Sequence, residues 1–159
     1  MLAFAGATFA AALVFASPAS AQSSGPFTGL AGKWSGGGTI AMANGSTERI
    51  RCRADYRVGS NGATVTLELR CASDSYKFEL QGNVRYQAGE VRGDWGERTR
   101  GAAGQVSGRI KGQQIEVRVE GPTFAGLLSL TTRGDKQSIS IKAPGQMTEA
   151  NINLNRSGG

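Results

Sequence analysis

From Thr39 to Asn155 the chain alternates apolar and polar residues, and the alternation breaks at intervals at clusters of Gly, Pro, Asn, Asp or Ser. A period of two puts successive side chains on opposite faces of an extended strand, so each segment carries one apolar and one polar face. The breaks are turn chemistry: glycine supplies positive φ, proline fixes φ, and Asn, Asp and Ser bond back to their own backbone. Each connection is short enough for a hairpin and none needs a helical crossover. The reading is therefore an up-and-down antiparallel meander of about 8–10 strands.

The segment CRADYRVGSNGATVTLELRC, Cys52 to Cys71, contains both cysteines of the chain. Ile50, Cys52, Ala54, Tyr56 and Val58 share one face, as do Val65, Leu67, Leu69 and Cys71, with Gly59-Ser60-Asn61-Gly62-Ala63 between them. Folding the hairpin about its middle sets Val58 against Val65, Tyr56 against Leu67, Ala54 against Leu69 and Cys52 against Cys71. An opposed antiparallel pair of this kind brings side chains close enough for a disulfide. The spacing is not C-x-x-C and an inward face hides both sulfurs, so Cys52–Cys71 reads as a structural staple and not a redox pair.

The same folding at the other turns yields a full register. Ser73-Asp74 sets Cys71 against Tyr76 and Leu69 against Phe78; Gln87-Ala88 sets Arg85 against Glu90 and Val84 against Val91. Gly112-Gln113 pairs Arg109 with Glu116 and Ile110 with Ile115, and Gly121-Pro122 pairs Val119 with Phe124. Gly134-Asp135 pairs Leu130 with Ile139, and Pro144-Gly145 pairs Ile139 with Ala150. Around Asn44-Gly45 a two-residue loop would set Thr39 against Ile50; a three-residue loop sets Ile40 there and keeps the apolar faces together. These registers align Gly82, Gly93, Gly108, Val117 and Gly126 in one inward row, where a sheet bends or leaves room for a ligand.

A long meander with one apolar face covers that face, and removes its free edges, by curling into a calycin-like barrel. A two-sheet β-sandwich is the alternative. Large apolar residues fall on the inward face and Arg, Lys, Glu, Asp and Gln on the outward one, the reverse of a membrane barrel.

The N-terminus, MLAFAGATFAAALVFASPASAQSS, is an apolar run ending in Ala19-Ser20-Ala21, the small-x-small pattern of a cleaved signal peptide. Residues 1–21 are thus expected to be removed, 22–29 to form a flexible N-terminal segment, 30–156 a single β-barrel domain and 157–159 a flexible tail. No transmembrane span is expected after the leader. Export and a disulfide agree on an oxidising compartment, periplasmic or extracellular. The net charge of +6 belongs to the mature domain and favours anionic surroundings.

LAGKWSGGG, Leu30 to Gly38, resembles the G-x-W opening of the calycins, lipocalins and avidins among them, with Gly32 and Trp34 in the matching positions. The resemblance implies a tryptophan packed across a closed barrel end. A broader resemblance, carried by LAGKWSGGGTI, STERIRCRADY, LRCASDSYKFEL, GDWGERTRG, VSGRI and LSLTTRGDKQSISI, is to an uncharacterised family of small exported alphaproteobacterial proteins. It implies an envelope location.

Catalysis is disfavoured by composition. The chain has no histidine, which removes Ser-His-Asp and Cys-His arrangements, histidine metal sites and imidazole acid–base work. Asp94 and Glu97 have opposite strand parity and do not flank one bond as paired glycosidase carboxylates would. The expectation is a non-catalytic protein with no cofactor and no metal. Arg51, Arg53, Arg57, Arg70 and Lys77 form a basic outer stripe broken by Asp55 and Glu68. Stacking aromatics are not interleaved with it, so nucleic acid is not the expected partner; an anionic envelope component is. GDWGERTRG, Gly93 to Gly101, places Trp95 and Glu97 inward and Arg98 and Arg100 in a loop at one end. The leading reading is a binding module for a small apolar or amphipathic ligand, held near Tyr56, Tyr76, Phe78, Trp95 and Phe124 with Arg98 and Arg100 at the mouth. The competing one is an envelope interaction protein with a solid core, acting through its basic outer surface. Cavity volume separates them, since ligand sites occupy roughly 300–1,000 Å³.

Overall fold

A computed structural model describes residues 24–145 and 147–158. The expected leader, residues 1–21, lies outside the described residues. Ten antiparallel strands follow one short 3-10 turn, Thr28–Leu30: β1 Gly32–Met42, β2 Thr47–Val58, β3 Thr64–Ala72, β4 Lys77–Gln87, β5 Glu90–Glu97, β6 Ala102–Lys111, β7 Gln114–Glu120, β8 Ala125–Arg133, β9 Lys136–Lys142 and β10 Met147–Arg156. Each strand pairs with its sequence neighbours, and β10 returns to pair with β1, closing the barrel. The sandwich alternative is thereby set aside. Closure pairs the two edges a meander would otherwise leave exposed.

The two ends differ in loop length. The connections β1–β2, β3–β4, β5–β6, β7–β8 and β9–β10 each leave four residues between strands. At the other end, β4–β5, β6–β7 and β8–β9 turn in two residues, and β2–β3 in five. The registers set by Gly112-Gln113 and Gly134-Asp135 are as expected: Arg109 faces Glu116, Ile110 faces Ile115 and Leu130 faces Ile139. The Cys52–Cys71 hairpin is likewise in the expected register, and the two sulfurs are bonded with Cα atoms 4.2 Å apart.

Elsewhere the pairing moves by two residues. Cys71 faces Phe78 and Leu69 faces Leu80, because the β3–β4 loop spans 73–76 instead of turning at Ser73-Asp74. Val119 faces Gly126 and Ile139 faces Ile152, for the same reason at the other long loops. Val84 faces Gly93 and Arg85 faces Arg92 because the turn is Ala88-Gly89, both at positive φ (52° and 86°), the backbone that a two-residue hairpin turn requires. In the first hairpin Ile50 faces Gly38, and Ile40 faces Glu48. A shift of two keeps every side chain on its face, so the core survives these differences. The glycine row holds only in part: Gly108 faces Val117 as expected, but Gly82 faces Trp95, Gly93 faces Val106 and Val117 faces Leu128. The glycines still serve close approach, since a Cβ on Gly93 would overlap the carbonyl of Asn83 on the neighbouring strand.

Residues 25–29, expected to be part of a flexible lead, are tied to the β2–β3 loop. Gly25 and Phe27 donate to the carbonyls of Asn61 and Gly62 at 2.9 and 3.0 Å, and Phe27 is 1% exposed. Phe27 and Leu30 insert into the end carrying the short turns. Ser157, expected to lie in a flexible tail, donates its N–H to Lys33 at 2.8 Å. Charges cover the outside, where Leu127 is the exposed large apolar side chain among the described residues.

A Cys52→Ala/Cys71→Ala variant is expected to lose roughly 3 kcal/mol of stability in urea unfolding while retaining its far-ultraviolet spectrum. Non-reducing peptide mapping of the parent protein should recover Cys52 linked to Cys71.

Candidate functional site

The barrel is filled unevenly. Around β1, β2 and β10 the inward side chains are large and tightly packed: Trp34, Ile40, Ile50, Ile152 and Leu154 are all at most 2% exposed. On β4 to β6 the inward positions include Gly82, Ala102, Gly104 and Gly108, and β7 presents Ile115, Val117 and Val119. These short side chains do not reach the opposite wall. The β7 residues point inward yet remain partly exposed, because they face a cavity of about 430 Å³. Strands β1 and β2 contribute nothing to its lining.

The cavity runs from Phe27 and Leu30 at the closed end toward the end bearing the four-residue loops, where Tyr76, Arg100, Thr123 and Phe124 line it. Trp95 and Phe124 pack edge to face with centroids 5.3 Å apart, and the Trp95 indole N–H donates to the Glu120 carbonyl at 3.2 Å. Tyr76 and Phe78 lie beside each other, centroids 6.1 Å apart. The lining is overwhelmingly apolar, with Glu97, Arg100 and Gln81 among its few polar members.

Glu97 anchors the rim. Its carboxylate accepts hydrogen bonds from the backbone N–H groups of Glu79, Thr99 and Arg100 at 2.9, 3.1 and 2.8 Å, and from the Thr99 hydroxyl at 2.6 Å. Burial pushes this carboxyl up, but the Thr99 hydroxyl and the three N–H groups together outweigh it and hold Glu97 below the usual carboxylate range. Arg100 lies 3.6 Å from the same carboxylate, places its guanidinium 4.4 Å from the centre of the Tyr76 ring, and donates to the Lys77 carbonyl at 3.1 Å. Burial raises the Tyr76 phenol, partly offset by Arg100. A tight β5–β6 loop that wraps its own carboxylate thus fixes one aromatic and one cation at the mouth.

Of the seven residues named from sequence, Tyr76, Phe78, Trp95, Arg100 and Phe124 line the cavity and Tyr56 and Arg98 do not. Tyr56 is 4% exposed at the closed end, where its hydroxyl donates to Gln137 at 2.8 Å and its ring meets Trp34 edge to face at 6.5 Å. Burial raises its phenol strongly, and it serves as core. Arg98 is exposed, its N–H bonded to the Glu79 carbonyl at 3.0 Å and its side chain outside the lining. In a tight loop neighbouring residues diverge, and parity arguments do not separate Arg98 from Arg100. Sequence reasoning missed Phe27 and Leu30 as the cavity floor. Their apolar pair just before the Gly32-Lys33-Trp34 opening was the available signal.

No protein-family model matches the chain, and no curated protein matches it. Solved structures do. The crystal structure of Rv2717c from M. tuberculosis superposes with a TM-score of 0.64 at 16% identity, over 82% of this chain and 94% of that one. The S-type phycobiliprotein lyase CPES from Guillardia theta gives 0.56 at 12% identity, over 84% and 91%. At these identities the likeness establishes a shared calycin-like barrel fold.

Glu97→Gln is expected to cost about 2 kcal/mol at pH 7, because an amide cannot accept from all four donors. A carboxylate held low in the folded state contributes stability above the usual glutamate pKa and loses it as pH falls through the folded value. Urea midpoints of the parent and Glu97→Gln proteins should therefore differ at pH 7 and converge toward pH 3.

Proposed function

We propose that this protein is an exported, periplasmic, non-catalytic binding module that holds a small apolar or amphipathic molecule inside its barrel. The observation that carries the reading is the cavity of about 430 Å³, within the roughly 300–1,000 Å³ typical of ligand sites and lined almost wholly by apolar side chains. A solid core, which the competing interaction-protein reading requires, does not fit that volume. The apolar body of the ligand lies against Phe78, Trp95, Val106 and Val117, and its polar end stands at the rim beside Tyr76, Arg100 and Thr123.

The chemistry favours binding over turnover. The chain has no histidine, and the Glu97 carboxylate is occupied by four hydrogen bonds. The disulfide suits a non-reducing compartment, and the leader-like N-terminus and the envelope-family resemblance support export. The S-type lyase with this barrel is named as acting on phycobiliproteins, a precedent for such a scaffold serving a role toward another molecule.

Gly82 offers a direct test, because a Cβ there meets no atom closer than 3.6 Å. Gly82→Phe is expected to fill the cavity while preserving the fold. The amphipathic fluorophore 1-anilinonaphthalene-8-sulfonate should bind the parent at one per chain, with energy transfer from tryptophan, and its affinity should fall at least tenfold in Gly82→Phe. Val106→Phe, which intrudes from the neighbouring wall, provides a second variant should the first unfold. Unchanged fluorophore binding in folded cavity-filled variants would refute the reading.

A further inference from the structure

A second concavity, of about 400 Å³, lies on the outside of the barrel across β1 to β4. It runs over the Cys52–Cys71 bridge and is walled by Arg51, Arg53, Arg70 and Lys77, with Glu79 the one acid along it. Strand register fixes this arrangement. Arg53 stands directly opposite Arg70, whose cross-strand neighbour on the other side is Glu79; Arg51 stands opposite Ala72, which in turn faces Lys77. Ala72 leaves a notch between two cations. On β1 the facing residues are Ser35 and Gly37, too small to fill the groove from that side.

The charges in the groove differ from those beside it. Further along the same strands, Asp55 holds Lys33 at 2.8 Å and Glu68 holds Arg57 at 3.3 Å. The four groove cations are exposed, and none forms an ion pair among the described residues. Like charges directly opposite on paired strands are destabilising. Four cations against the single Glu79 carboxylate leave a net positive cluster, which becomes favourable when a multivalent anion sits among them.

We propose that this groove is a binding site for a phosphoryl oxyanion. Planar guanidinium forks match phosphate oxygens bidentately, and a lysine adds a point charge. A phosphate monoester carries close to two negative charges at neutral pH and three acceptor oxygens, whereas one carboxylate would leave most of the repulsion in place. The group comes either on a soluble phosphate monoester or on the monoester headgroup of a phosphatidic acid at a membrane surface. Ala72 ends β3 and Lys77 begins β4, so the groove opens beside the same barrel end as the interior cavity. It is separate from that cavity, and Gly82→Phe should leave it intact.

The test compares the parent with Arg53→Gln/Arg70→Gln, two exposed outer-face changes that touch no core residue. Inorganic phosphate is titrated at constant ionic strength while nuclear magnetic resonance follows the groove residues. The co-sedimentation arm uses vesicles of phosphatidic acid, whose headgroup is a phosphate monoester, and phosphatidylcholine against phosphatidylcholine alone. Saturable phosphate shifts confined to the groove, weakened at least tenfold in the variant, are expected and assign a soluble ester. Sedimentation with the anionic vesicles that the variant loses, without saturable phosphate shifts, assigns the headgroup. In phosphate-free buffer of low ionic strength the variant should melt no lower than the parent, since a repulsion has been removed. Binding of neither probe, equal shifts with sodium chloride, or undiminished binding by the variant overturns the proposal.

Discussion

The seam where β10 meets β1 is the constraint on which the rest of the barrel depends. Trp34 stands directly opposite Arg156 there, with the guanidinium 4.3 Å from the indole ring centroid. The same guanidinium bonds the Gly29 carbonyl at 2.8 Å and Asp135 at 2.9 Å, while the Trp34 N–H reaches the Leu30 carbonyl at 2.8 Å. One stacked pair therefore ties together the first strand, the last strand, the β8–β9 turn and the segment that caps the barrel. A cation–π contact contributes only about 1 kcal/mol, less than the ladder of backbone bonds beside it. Its importance is in position: it holds Phe27 and Leu30 over one end, and the interior becomes a chamber closed at its base.

Uneven filling follows from where the large side chains are spent. Trp34, Ile40, Ile50, Leu69, Ile152 and Leu154 pack the seam side solidly, and the disulfide staples β2 to β3 behind them. The far wall has glycine, alanine or valine at several inward positions, Gly82, Ala102, Gly104, Gly108, Val117 and Val119, whose inward reach is short. Among the described residues every buried side-chain polar atom has a hydrogen-bond partner, and the chamber lining is mostly apolar, with Glu97, Arg100 and Thr123 at the rim. Rigid wall, sealed base and a mouth shaped by the Glu97 loop are what an occupant of modest size and low polarity requires.

Much of this was legible in the alternation of side chains. The meander, the inward and outward faces and the disulfide partners follow from period two and turn chemistry, because a buried face penalises any one-residue slip; closure was the leading expectation beside a sandwich, and the pairing of β10 with β1 decides between them. Registers failed by two where nothing in the local sequence separates a two-residue turn from a four-residue loop, as at Ser73–Tyr76 and Gly121–Phe124. That error keeps parity and costs no core contact, so hydrophobic patterning is blind to it. The site was legible in its aromatics, Tyr76, Phe78, Trp95 and Phe124, which are inward by parity or close a loop. Tyr56 shares their pattern and lies in the packed half; which half is hollow depends on summed volumes across ten strands, a property no single segment carries. The cavity itself was invisible for the same reason.

The most direct measurement of the central claim is native mass spectrometry of the protein purified gently from the cells that make it, before and after organic extraction. The account predicts a small molecule bound one to one, removed by extraction and returned on incubation with the host's lipid extract. A bare polypeptide mass under all of these conditions would contradict it.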